Sequence, residues 1–322
     1  MQRRQFLTQL SGASVLASAG LPPLGAEAPR TVSRPVLRVA HLTDTHVLPD
    51  RGADLGLTEA LRHAQAQKPD LVLFGGDLIM DALKKEKDDV LGQWAVWDRV
   101  IQAELKTPHR VCLGNHDIWG WGYADRPDIA SDRHFGKTLA MERLALADRH
   151  YSFDQAGWHF IVLDSMQLLT AHHTYTARLD EDQFSWLARD LAAVAPTTPV
   201  CVLSHIPILA ACAFFDGENE KTGTWTVPGA WMHLDARRIK TLFHQHPNVK
   251  VCLSGHIHLA DDVSYLGVRY LCNGAVCGGW WKGPCQEFAP AYALVDFFAD
   301  GTVENRLVFY RGSAPVNAAK PA

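Results

Sequence analysis

Short apolar runs, each closed by a glycine-bearing or polar turn, alternate along the chain with stretches whose apolar residues recur at helical spacing. Residues 36–42, between Pro35 and Asp44, read as a strand covered on both faces. Residues 57–67 have helical spacing, with Thr58 as the expected cap. A strand is expected over 70–74, a long helix over 86–105 whose charged start at 84–89 is exposed, and a strand over 109–113. Residues 118–131, rich in Trp, Gly and Asp, read as a loop, and 132–147 as a helix. A hairpin is expected over 151–153 and 158–163, around Asp154-Gln155-Ala156-Gly157. An amphipathic helix over 179–195 ends at Pro196. It is followed by a strand over 200–203, a helix over 235–246 and a strand over 249–253. Short alternating strands occupy the remainder, among them 291–297 and 303–310 around Asp300-Gly301.

No repeat, low-complexity tract or Pro/Ser/Gly-rich linker divides residues 29–322, so they read as one domain. Helices alternate with strands early and hairpins gather late, which predicts an α/β fold of two sheets packed face to face with helices outside.

The polar residues that close five of the strands change the picture from architecture to chemistry. They are Asp44-Thr45-His46, Gly76-Asp77, Gly114-Asn115-His116-Asp117, Ser204-His205 and Gly255-His256-Ile257-His258. Each block alone has an ordinary explanation. An Asp after a strand often caps a helix, and Gly-Gly-Asp makes turns. A simple turn does not require the histidine of Gly-Asn-His-Asp, and five such blocks in order at strand ends are not five accidents. Side chains gather at the carboxyl ends of strands, where loops converge. Asp44, His46, Asp77, Asn115, His205, His256 and His258 then offer enough nitrogen and oxygen for two metal ions. The absence of sulfur and the mix of imidazole with oxygen suit iron, manganese or zinc and disfavour copper(I).

Composition sets limits. An apolar fraction of 47% is ample for a continuous core, and a net charge of −4 with no basic stripe disfavours a nucleic-acid partner. Arg3-Arg4-Gln5-Phe6-Leu7, a mild apolar stretch to Leu24 and small residues at Ala26 and Ala28 are expected to form a twin-arginine signal peptide over 1–28. That address implies export by the twin-arginine machinery to the periplasm or another extracytoplasmic space. The stretch is too short and too rich in Ser and Gly for a membrane span. Of seven cysteines, Cys112, Cys201 and Cys252 read as small buried residues on central strands, and none forms a CxxC pair. In an oxidising compartment one disulfide is expected among Cys212, Cys272, Cys277 and Cys285.

The blocks resemble the signature of the calcineurin-like metallophosphoesterase superfamily: D-x-H, G-D, G-N-H-[DE], H and G-H-x-H, in order from Asp44 to His258. Gly-Asn-His-Asp is similar in particular to bacterial members that include class III cyclic nucleotide phosphodiesterases. The resemblance implies a four-layer α/β/β/α sandwich of two mixed sheets. It implies that Asp44, His46 and His258 bind one ion, that Asn115, His205 and His256 bind the other, and that Asp77 bridges both. It further implies a hydrolase for phosphodiester or phosphomonoester bonds. Paired cations lower the pKa of a water so that hydroxide attacks in line, His116 serves as general acid, and Asp117 orients its ring. In purple acid phosphatases a metal-binding Tyr lies three residues after the bridging Asp; here that position is Met80, which argues against a tyrosine-bound ferric site.

Substrate clues are thinner. Trp119, Trp121, Tyr123, Trp225, Trp231 and the Trp280-Trp281-Lys282 run are candidates for an aromatic rim, with Lys282 near a phosphate. His172-His173 reads as a solvated loop pair rather than a second metal site. A lipid-headgroup or pyrophosphate hydrolase is the alternative within the class, and a non-catalytic binding scaffold the alternative outside it. The scaffold predicts lost ligands or a lost His116, and all are present.

Overall fold

Strands that are apolar on both sides need cover on both faces, and the arrangement of the elements supplies it. A computed structural model describes residues 34–312; the expected leader over 1–28 lies outside them. The chain runs β1 (Leu37–Leu42), α1 (Ala53–Ala66), β2 (Leu71–Phe74), α2 (Lys87–Glu104), β3 (His109–Val111), α3 (Pro127–Ala130) and α4 (Thr138–Arg143). It continues through β4 (Tyr151–Gln155), β5 (Trp158–Leu163), β6 (Met166–Leu169), β7 (Thr174–Ala177), α5 (Glu181–Ala193), β8 (Val200–Ser204) and α6 (Ala236–Gln245). It closes with β9 (Val249–Ser254), β10 (Asp261–Tyr265), β11 (Val268–Cys272), β12 (Ala291–Phe297) and β13 (Val303–Phe309).

One sheet has the order β13-β12-β1-β2-β3 and the other β10-β11-β9-β8-β5-β4, with β6-β7 as a separate hairpin. β1, β2 and β3 run parallel, as do β5, β8 and β9, so the loops at their carboxyl ends open on a common edge within each sheet. Both sheets are mixed, because β12 and β4 pair antiparallel with their neighbours.

Side-chain alternation sorts the strands into layers. Leu37, Val39, Leu73 and Val295 of the first sheet meet Phe160, Val162, Leu203 and Leu253 of the second in a shared inner core. On the outer face of the first sheet, Ala40, Leu42 and Phe74 pack with Leu57 and Leu61 of α1 and Trp94 and Trp97 of α2. On the outer face of the second, Ile161, Val202 and Val249 pack with Leu187 of α5 and Ile239 and Phe243 of α6. The expected four-layer α/β/β/α sandwich is therefore the observed one. Among the described residues no helix is long and apolar enough to cross a membrane.

The differences are local. α1 starts at Ala53 behind Gly52 rather than at residue 57, and Thr58 lies within it instead of capping it, because its buried stripe begins with the small residues Ala53 and Gly56. The helix expected over 132–147 shrinks to α4, since Gly136 takes φ 76° and pairs with Trp119 in an antiparallel bridge. The hairpin β6-β7 was not expected. All seven cysteines are free thiols, so the expected disulfide is absent; the Cys272 thiol instead donates to the carbonyl of Gly255 at 3.3 Å.

Candidate metal centre

The loops that follow β1 and β2 continue side by side beyond the sheet. The amides of Asp44, His46 and Val47 donate to the carbonyls of Gly76, Asp77 and Leu78, each at 3.0 Å. Asp44, His46, Asp77, His256 and His258 all take left-handed backbone, at φ 56°, 41°, 52°, 73° and 61°. These reversals let short loops turn several side chains toward one point.

All seven expected ligand residues converge. His46 Nε2 lies 3.1 Å from His258 Nε2, 3.5 Å from Asp77 Oδ2 and 3.8 Å from Asp44 Oδ1, and His258 Nε2 is 3.5 Å from Asp44 Oδ1. His205 Nε2 lies 3.1 Å from the same Asp77 Oδ2 and 3.2 Å from Asn115 Oδ1. His256 packs edge-on against His205, ring centres 5.1 Å apart, and groups with Asp77 and His205. Ligand atoms about 2.1 Å from one ion in a tetrahedral arrangement stand about 3.4 Å apart. The observed spacings match that value, so the residues fit two cations. Asp77 Oδ2 belongs to both groups, while its Oδ1 accepts the His116 amide at 2.8 Å.

The other ring nitrogens fix the tautomers. His205 Nδ1 donates to Gly75 O at 2.8 Å and His258 Nδ1 to Gly278 O at 2.7 Å, leaving each Nε2 facing the centre. His256 Nδ1 is buried without a protein partner, as an atom reserved for a ligand would be. Burial pushes His46 down to about 4 and His256 down to about 3, which keeps both imidazoles in the neutral, ligating form. Burial pulls His205 down most, but the Asp77 and Asp44 carboxylates and the Gly75 carbonyl together outweigh it and raise His205 to about 9. Histidines split in this way mark a pocket whose two buried carboxylates call for positive charge.

His116 is beside the ligands and half-exposed, its ring centre 4.8 Å from that of His46. Its Nδ1 donates to Met80 O at 2.6 Å, so Nε2 is the atom left free. This corrects the expected role of Asp117 as the residue that orients the ring. Asp117 instead accepts the amides of Leu78, Ile79 and Gly114 at 2.8, 3.2 and 2.8 Å, bracing the loops that carry Asp77 and Asn115. Burial, and then the Asp77 charge, raise its carboxyl to about 7 against the pull of those amides.

The aromatic candidates separate. Trp119 and Trp121 are core residues at 2% and 7% exposure, not rim. Trp225 is exposed beside Phe214 and Phe215, and Lys282 is exposed. Trp280 reaches the centre. Of the His172-His173 pair, His172 is exposed at the β6-β7 turn as expected, whereas His173 is half-buried with its Nδ1 3.9 Å from Asp125 Oδ1. Two residues were not anticipated. Tyr175 of β7 approaches His256 edge-on with ring centres 6.3 Å apart. His233 joins Ser204 Oγ at 3.2 Å to Asp235 Oδ1 at 3.0 Å, tying the end of β8 to the start of α6. Neither lies in a glycine-polar block, so no sequence signal marked them.

A family model described as calcineurin-like phosphoesterase matches residues 37–260. The chain is 29% identical over 213 residues to purple acid phosphatase 22 of Arabidopsis thaliana, covering 64% of this chain and 42% of that protein, less than half its length. It is 23% identical over 294 residues to a 3′,5′-cyclic-nucleotide phosphodiesterase of Nostoc, covering 87% of this chain and 95% of that one. The crystal structure of a dimetal phosphatase from Danio rerio superposes with a TM-score of 0.59 at 16% identity, covering 86% of this chain and 100% of that chain.

Proposed function

We propose, from the premise that the chain belongs to the calcineurin-like phosphoesterase family, that it hydrolyses phosphodiester or phosphomonoester bonds at a centre of two cations. The observation that carries this reading is Asp77 Oδ2, within 3.5 Å of His46 Nε2 and 3.1 Å of His205 Nε2, with the free edge of His116 alongside. Asp44, His46 and His258 would hold one cation and Asn115, His205 and His256 the other, with Asp77 between them. Iron, manganese or zinc suits these donors. When bound, such a pair neutralises phosphoryl oxygens and makes hydroxide available near neutral pH. The chain supplies the rest. Met80 O fixes the His116 ring, and His116 Nε2 hands a proton to the departing oxygen. Asp117 keeps the two ligand loops in register through their amides.

The Nostoc relative, matched over nearly its whole length, is named a cyclic-nucleotide phosphodiesterase, which supports trying diesters first. The test is a parallel assay of metal-loaded protein on bis(p-nitrophenyl) phosphate, p-nitrophenyl phosphate and cyclic nucleotides. Turnover that a chelator abolishes and added metal restores is expected. A protein carrying two ions per chain that cleaves none of these sets the reading aside. The Arg3-Arg4 leader supports export by the twin-arginine route to an extracytoplasmic space. Replacing both arginines by lysine should hold the precursor in the cytoplasm, and normal export of that variant contradicts the address.

A further inference from the structure

Trp280 is outside the five blocks and yet touches three of their histidines. Its ring centre lies 4.3 Å from that of His46, 4.7 Å from that of His258 and 5.2 Å from that of His116. Under it His46 and His258 are buried at 0% and 4%, whereas His116 and His256 stay partly open. His205 and Asn115 are just as buried, at 0% and 3%, so the centre meets solvent at the edges of His116 and His256, with the Trp280 ring alongside His116.

The loop that carries Trp280 is fastened to the first ligand loop. The amides of Val276 and Cys277 donate to the carbonyls of Thr43 and Asp44 at 2.9 and 3.1 Å. Trp281 Nε1 donates jointly to the carbonyls of Thr45 and His46, each at 3.0 Å. Gly56 of α1 makes room for that anchor, since a Cβ there would lie 2.1 Å from the Trp281 ring. Both tryptophans take left-handed backbone, at φ 60° and 64°, a conformation bulky residues avoid unless their surroundings impose it. One tryptophan is thus a peg and the next is displayed against the reacting groups.

Resting on the phosphoesterase reading, we infer that Trp280 is a specificity-determining residue, a flat wall that favours phosphoesters whose leaving group is itself flat, an aryl or nucleoside group. The geometry requires the contact. If His116 Nε2 protonates the leaving oxygen, that oxygen comes within about 3 Å of it. The group attached to the oxygen then emerges beside the half-exposed indole that packs on His116. An aromatic group there gains an offset or edge contact, and an alkyl group of similar reach does not.

The test compares two unreactive ligands titrated calorimetrically into metal-loaded protein. They are benzylphosphonate, in which CH2 replaces the ester oxygen of a phenyl ester, and cyclohexylmethylphosphonate, an alkyl group of the same reach without a π face. Wild type is expected to prefer benzylphosphonate, and Trp280→Ala to lose about two- to tenfold of that preference. Trp280→Phe should keep most of it, and Trp280→Leu, which retains bulk without a π face, should lose it with metal content unchanged. Equal binding of the two ligands by wild type, or an unchanged preference in Trp280→Ala and Trp280→Leu, overturns the inference. Because binding is read without turnover, its failure is separable from that of the parent reading. Ester hydrolysis without the preference removes the role of Trp280, and the preference without hydrolysis removes the esterase.

Discussion

A single methyl group at residue 114 should empty the centre. Gly114 lies in extended backbone, φ −110° and ψ 171°, which alanine adopts freely, so any effect of Gly114→Ala is steric. The new Cβ would stand 2.1 Å from both the amide nitrogen and Oδ1 of Asp77 and 2.8 Å from its Cγ, where ordinary contact begins near 3.4 Å. Asp77 must therefore retreat by the difference of 3.4 and 2.1, or 1.3 Å. It has nowhere to go: it is 1% exposed, its Oδ1 holds the His116 amide and its Oδ2 serves both ligand groups. A misplacement of about 1 Å at a reacting centre costs about 10²-fold in rate. Forcing an extra methyl into a packed site costs about 1–3 kcal/mol of stability. We expect kcat/KM to fall at least about 10²-fold, with fewer than two ions per chain by elemental analysis. The control is Gly92→Ala in α2, whose nearest neighbour is Pro49 Cγ at 4.0 Å and which should leave both readouts unchanged. Two retained ions and activity within a few-fold of wild type in Gly114→Ala would refute the placement of Asp77.

Asp77→Asn keeps the shape but removes the shared charge, so metal should drain from both groups together. Loss from one group alone, measured by elemental analysis, argues against the bridge. Its effect should exceed the roughly 10–100-fold affinity loss seen when only an outer partner of a ligand is removed. His116→Ala should keep two ions and lose about 10²–10⁴-fold in turnover of alkyl esters. p-Nitrophenyl esters should suffer less, because their leaving group needs little protonation; equal losses on both deny His116 the proton. His159 bonds to Asp190 at 2.9 Å and Asp154 at 2.7 Å, and Asp190, opposed by partial burial and aided by Asp154, raises its pKa above the ordinary 6.5. A raised folded value means the stabilisation is complete below about 6.5 and fades as pH climbs past the folded value. His159→Gln should therefore lower Tm more at pH 5.5 than at pH 9, and a pH-independent difference contradicts the assignment.

The sandwich was legible because its strands are apolar on both faces, and nothing else in a chain of this length demands cover on two sides. β1, with Val39 turned to the inner core and Ala40 to the helices, shows why a continuous run predicts a central strand. The convergence of the seven candidate ligand residues was legible because polar blocks closed those strands. What escaped depended on small or distant residues. Ala53 and Gly56 fill the buried stripe of α1 without looking hydrophobic, so the helix seemed to begin only at residue 57, with Thr58 as its cap. His116 is oriented by the carbonyl of Met80, and no side-chain pattern announces a backbone acceptor. Asp117, adjacent in sequence, was the natural guess, yet three amides claim it first. Trp119 and Trp121 follow the third block directly but point into the core, while Trp280, about 160 positions further on, lies against the histidines of the centre.

Backbone strain separates the residues proposed to bind from the residue proposed to select. Five of the seven candidate ligand residues are left-handed, and all five are Asp or His, types that tolerate this region better than most. The signature therefore satisfies two requirements at once, a donor atom and a side chain that accepts the turn aiming it. Trp280 and Trp281 have no such tolerance. Holding two bulky residues there costs about 2–6 kcal/mol together, a large fraction of the 5–15 kcal/mol that holds a typical domain. The hydrogen bonds of Val276, Cys277 and Trp281 to the first ligand loop offset that cost. A core needing only an indole to fill space would have placed it on a relaxed backbone. Strain retained next to His46, His116 and His258 implies that the position of the Trp280 ring, rather than its volume, is what the loop is built to deliver.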